Sequence, residues 1–181
     1  NEVSHQLFSL AIPRVSYIAK AVSEYVRTFD AKVDMEIDIL EDNSVRIIDH
    51  VADGQYVLGI IRCHAEDEDY FIKKIAEKEL QHETIWQSDY RVLMHVDHPL
   101  AEQEILEPSD FLQYVEIAFG DDEVPYVRVS EAQTACGILK NSKRILVHGR
   151  AMQFDLLRTN PSTYMWVSPM PNDVLQANNL I

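Results

Sequence analysis

Apolar positions follow two different periods along this chain, and the switches between them mark its elements. Residues 7–12 (LFSLAI) form an apolar run closed by Pro13, which predicts a buried strand and its stop. Ile18, Val22, Tyr25, Val26 and Phe29 recur at helical spacing, giving one apolar helix face with Ser16 as the expected N-cap. Val33, Met35, Ile37 and Ile39 then alternate with Asp34, Glu36 and Asp38, the pattern of a strand with one wet face. Asn43 or Ser44 can cap a helix carrying Val45, Ile48 and Val51, with Gly54 as its stop. VLGII at 57–61 is apolar throughout and reads as a third strand, central in its sheet.

Strands alternating with helices at this spacing imply parallel pairing through right-handed crossovers. Sheets of that kind place ligands beyond the carboxyl ends of their strands. Those ends are Pro13–Ser16, Asn43–Ser44 and Arg62–His64. A helix around 70–79 leads into a long β-like stretch from Glu83 to Val96, after which the pattern restarts. A helix is expected near Pro108, a strand at 115–119 (VEIAF) ending at Gly120-Asp121-Asp122, and a helix over 131–140. RILVH at 144–148 is a strand, Gly149 turns the chain into a helix through Leu157, and YMWV at 164–167 is a strand closed by Ser168-Pro169. Two α/β units joined by a long strand predict two lobes with a cleft.

Composition narrows the partners. Thirty acidic residues against sixteen Lys and Arg give a formal charge of -14, which repels a phosphate backbone and argues against direct DNA binding. Cys63 and Cys136 stand far apart outside any C-x-x-C pattern and read as reduced thiols of an intracellular protein. No apolar run approaches the roughly eighteen residues of a membrane span. No secretion signal is visible, although Asn1 is not a native start and leaves a removed signal open. The nucleophile-elbow, P-loop, dinucleotide and H-E-x-x-H patterns are all missing, so no residue set proposes a reaction. His95 and His98 lie three apart, which on a strand would point their rings to opposite faces, and no metal is expected there.

Against this background, VLMHVDHPLA (92–101) followed by Pro108-Ser109-Asp110-Phe111-Leu112 resembles the effector-binding domain of LysR-type transcription regulators, in its Gram-positive form. NSVRIIDHVADGQYVLGII (43–61) and GRAMQFDLLRTNPSTYMWVSPMP (149–171) resemble the matching parts of the two lobes, in the expected order. The resemblance implies an α/β fold of two Rossmann-like lobes joined by hinge strands, similar to type 2 periplasmic binding proteins. The lobes would be 1–88 and 89–181. The family's chain then returns to complete the first lobe, and a sequence stopping at Ile181 is expected to lack that return.

The same resemblance places a small effector in the cleft, touching Arg14, Ser16, Asn43, Ser44 and Arg62 from one lobe. Gly120, Asp121, Gly149 and Arg150 would serve from the other. Helix N-termini and arginines suit an anionic effector. The plainer reading of each residue is a helix cap or a solvated side chain. The resemblance further implies a cytoplasmic homodimer (a tetramer at full length) with the helices around 17–30 and 149–158 at its interface. It implies no cofactor, no membrane and no catalysis, and DNA reached only through an N-terminal winged helix-turn-helix that this sequence lacks. A solute-binding protein of the same fold, serving transport, is the alternative.

Overall fold

The computed structural model describes residues 6–30, 32, 34–120 and 141–181, which fall into two compact units, Asn1–Ile85 and Trp86–Ile181. The expected helix over 131–140 and the second cysteine, Cys136, lie outside the described residues.

The first unit runs β1 (Gln6–Ile12), α1 (Ser16–Val26), β2 (Met35–Glu41), α2 (Ser44–Ala52), β3 (Leu58–Gly59), a 3-10 turn (Ala65–Asp67) and α3 (Glu68–Glu77). Its sheet has the order β2-β1-β3 and is parallel throughout, with Gln6 beside Met35 and Ala11 beside Gly59. The spacing holds for Ile18 and Val22, which are buried against Leu10 and Ile12 of β1, whereas Tyr25 and Val26 of the same predicted face are exposed and Phe29 lies beyond the helix end. On α2, Asn43 is the N-cap and its side-chain oxygen accepts the Arg46 N–H at 2.9 Å. Gly54 follows the helix at φ +71°, the left-handed conformation that glycine adopts without strain. Gly59 has a packing role. A methyl group there would come within 2.8 Å of Ile47 Cγ2 and 2.9 Å of Val51 Cγ2, so its absence lets α2 lie close to β3.

Three expectations in this region are corrected. Ser16 is the first helical residue and not the cap; the extended Val15 (φ -130°, ψ 131°) holds that position, with its N–H turned back onto the Pro13 carbonyl at 2.8 Å. β1, and not VLGII, is central: β3 is two residues long and outermost in the described sheet, with Val57 and Leu58 exposed. An apolar run reports burial tendency, whereas order in the sheet follows from which side of β1 each crossover lands. The long strand over 83–96 shrinks to Arg91–Met94, because residues 81–90 pair with no strand among the described residues.

The second unit contains β4 (Arg91–Met94), a 3-10 helix (Pro108–Gln113), β5 (Val115–Phe119), β6 (Arg144–Val147), α4 (Arg150–Thr159), β7 (Thr163–Val167) and α5 (Asn172–Ala177). The order is β4-β7-β5-β6; β5 is parallel to β6 and β7, while β4 runs antiparallel to β7. Leu93, Ile117, Val147, Leu157, Met165 and Leu180 form one buried cluster, and Met94, Leu100, Phe111 and Tyr164 another. Pro108 opens its helix as expected, but the helix is 3-10, with Glu107 and Asp110 exchanging capping hydrogen bonds. The buried Asn141 anchors the start of β6. Its Nδ2 donates to the carbonyls of Phe111 (3.1 Å) and Tyr114 (2.8 Å) and to the Tyr164 hydroxyl (3.0 Å). Beside it, buried Glu116 pairs with Arg144 at 3.2 Å across adjacent strands. Among the described residues no helix is long and apolar enough to cross a membrane.

Candidate functional site

Parallel strands deliver their carboxyl ends to one edge of a sheet, and the predicted residues follow from that. In the first unit, β1 ends into Pro13-Arg14-Val15, β2 into Asp42-Asn43 and β3 into the segment holding Arg62. Arg14, Ser16, Asn43, Ser44 and Arg62 therefore share the edge from which α1 and α2 depart. No side chain caps α1 and no acidic residue occupies its own first turn.

Two of these residues lock to each other. Ser44 is fully buried, and its hydroxyl donates to the Arg62 carbonyl at 2.6 Å and accepts the Arg62 N–H at 3.1 Å. The serine that opens α2 thus holds the chain leaving β3 in register with the helix N-terminus. Asp42, which sequence reasoning passed over, is the other organiser. One carboxylate oxygen accepts the Asn43 N–H at 2.8 Å, and the second lies 3.4 Å from His50 Nε2. His50 Nδ1 in turn meets Gln55 Oε1 at 2.6 Å.

In the second unit the parallel pair β5–β6 brings Gly120, Gly149 and Arg150 to one edge; Asp121 lies outside the described residues. The Gly120 N–H donates to the Val147 carbonyl at 3.1 Å, extending the ladder one residue past the Phe119–Val147 pair. Gly149 caps α4 through its backbone alone, again with no acidic residue in the first turn, and Arg150 opens the helix. His148, not among the predicted residues, lies over Gly120. A glycine in register with a histidine at the ends of paired strands was the signal available for it.

The two histidines weighed for metal binding serve turns instead. His95 Nδ1 accepts the Asp97 N–H and His98 Nδ1 the Leu100 N–H, both at 3.1 Å. His98 is buried beside Tyr114, with ring centroids 4.5 Å apart, and its burial pushes the imidazole below the ordinary value of 6.5.

No protein-family model and no curated protein matches the chain in sequence. Solved structures do match. The effector-binding domain of QuiR, solved in complex with shikimate, superposes on 98% of this chain and 79% of its own, with a TM-score of 0.64 at 15% identity. The effector domain of the transcriptional regulator AmpR of Pseudomonas aeruginosa matches 97% of this chain and 77% of its own (TM-score 0.57, 13% identity). HinK, a LysR family regulator from the same organism, matches 94% of this chain with a TM-score of 0.54 and 11% identity; the chain spans 54% of HinK's length.

This is the fold of a LysR-type effector-binding domain.

The LysR-type fold, similar to that of type 2 periplasmic binding proteins, agrees with the α/β class read from the sequence. The antiparallel β4 and α5 are features that the hydrophobic pattern did not disclose.

Proposed function

We propose that this chain is the effector-binding and dimerisation part of a cytoplasmic LysR-type transcription regulator. It takes up a small metabolite at the carboxyl edges of its two sheets and acts on DNA only through a winged helix-turn-helix outside this sequence. The observation that carries the reading is the match over nearly the whole chain to effector domains, one of them holding a small carboxylic acid. The residues proposed to contact the metabolite are Arg14, Ser16, Asn43, Ser44 and Arg62 in the first unit, and Gly120, Gly149 and Arg150 in the second, together with Asp121 from the sequence reading. Two helix N-termini with no acidic residue in their own first turns favour an anion. Effector and DNA affinities would be coupled reciprocally in the intact regulator.

A thermal-shift screen of shikimate, benzoate, citrate and inorganic phosphate tests this directly. At saturating concentration a true effector raises the melting temperature with no chemical turnover, because only the folded state binds it. A net charge of -14 further predicts no binding to duplex DNA by residues 1–181 in a fluorescence anisotropy titration. Turnover of a bound acid, or tight sequence-specific DNA binding by this chain alone, would overturn the reading.

A further inference from the structure

Both histidines of the turn after β4 use Nδ1 as an acceptor, and they differ in what else they touch. His95 Nδ1 accepts the Asp97 N–H, and the Asp97 carboxylate lies 3.5 Å from the same atom, placed to hold the ring once it takes up a proton. His98 Nδ1 accepts the Leu100 N–H at 3.1 Å. A ring nitrogen that accepts carries no hydrogen, so neutral His98 keeps its proton on Nε2. That Nε2 is buried without a hydrogen-bond partner. Tyr114 packs on the imidazole; Tyr164, clustered with Leu100, is bonded to Asn141; Glu107 and Asp110 of the 3-10 helix cap one another. Among the described residues no carboxylate pairs with His98. A second proton on this ring would cost the Leu100 bond and leave two buried donors without an acceptor.

The same turn holds a sheet edge. His98 donates its N–H to the His95 carbonyl at 2.9 Å, and Ala101 donates to the His98 carbonyl at 2.8 Å. Just before it, Val96 N–H donates to the Asn179 carbonyl at 3.0 Å, His95 bridges Leu180, and Met94 and Ile181 exchange both backbone bonds, at 3.0 and 2.9 Å. Residues 179–181 (Asn-Leu-Ile) therefore lie along the free edge of β4, bring no charge to the turn, and bury Leu180 in the core. We propose that the stretch from His95 to Ala101 is an acid-opened latch: protonation of His98 breaks the turn and releases residues 179–181 from β4. His95 is the neutral control within the same turn, since Asp97 compensates its proton. Burial pushes the His98 imidazole below 6.5, in the direction the latch requires.

The test is amide hydrogen exchange by NMR on the 181-residue chain, with each rate divided by its intrinsic rate at that pH. An opened turn titrates at the ordinary 6.5, so from about pH 7.5 to 5.5 the opening equilibrium should grow by as much as about tenfold. The Met94, Val96, Leu100 and Ile181 amides should report it. Local opening exposes little surface, so at pH 5.5 their exchange should not respond to low urea, whereas exchange through global unfolding does. His98→Asn, which can keep an acceptor for Leu100 without titrating, should abolish the pH step; His95→Asn should retain it. If these amides exchange at pH 5.5 only through urea-sensitive unfolding, there is no latch. If His98→Asn shows the full pH step, His98 is not its trigger and the inference fails. Should that variant not fold, the urea response of the wild type decides alone.

Discussion

Ser44 shows how a single hydroxyl can organise a strand edge. Because it both donates to and accepts from the backbone of Arg62, Ser44→Ala leaves a half-buried N–H and a half-buried carbonyl without this partner. The expected cost is about 1–3 kcal/mol, read as a lower urea midpoint for the first unit's far-UV transition. The Asn43 cap was legible in the sequence because its partner lies three residues away on the same helix. The Ser44–Arg62 pair was not, since nothing local links residues separated by a helix and a strand. His98 carries a pH prediction. Its folded value lies below 6.5, so as the pH falls through 6.5 the unfolded chain takes up a proton that the folded one refuses. Stability should therefore be full above 6.5 and decline as the pH drops from there through the lowered folded value. His98→Asn can keep an acceptor for the Leu100 N–H without titrating, and should flatten that slope in urea midpoints measured from pH 7.5 to 5.

Elements with a strong period were the readable ones. The first half of the α1 face, the face of α2, the run 115–119 and the helix after Gly149 follow from spacing that one unit can bury by itself, while Tyr25 and Val26 on α1 stay exposed. The errors lie where a partner decides. VLGII is apolar but outermost in the described sheet, and 83–90 has strand-like residues without a strand beside them. The distinction between 3-10 and α geometry after Pro108 is likewise set by neighbours, here the fastening of Phe111 and Tyr114 carbonyls by Asn141. Gly59 gives an element-scale prediction: Gly59→Ala drives a methyl into Ile47 and Val51, forcing α2 away from β3. Such overpacking costs about 1–3 kcal/mol, and should appear as a lower melting temperature with unchanged secondary structure by circular dichroism.

Within each unit, the candidate site was legible as an edge and not as a set of side chains. Parallel alternation alone located the carboxyl ends, and the described residues of the predicted set stand there. What the sequence hid was each residue's occupation: Ser44 tied to Arg62, and His148 seated on Gly120. The two sheets also differ in how their strands find one another. β1 meets β2 after a single helix, whereas β4 waits for β7, with Arg91 beside Val167 and the rest of the unit's strands synthesised in between. Closing a long loop costs entropy before any contact is gained, so distant pairings form late. On refolding, amides of β1 and β2 should gain protection in pulsed hydrogen exchange before those of β4. The antiparallel strand would then be the last piece of the nascent domain to escape proteases and chaperones, giving the protein a window of vulnerability confined to one edge of one sheet.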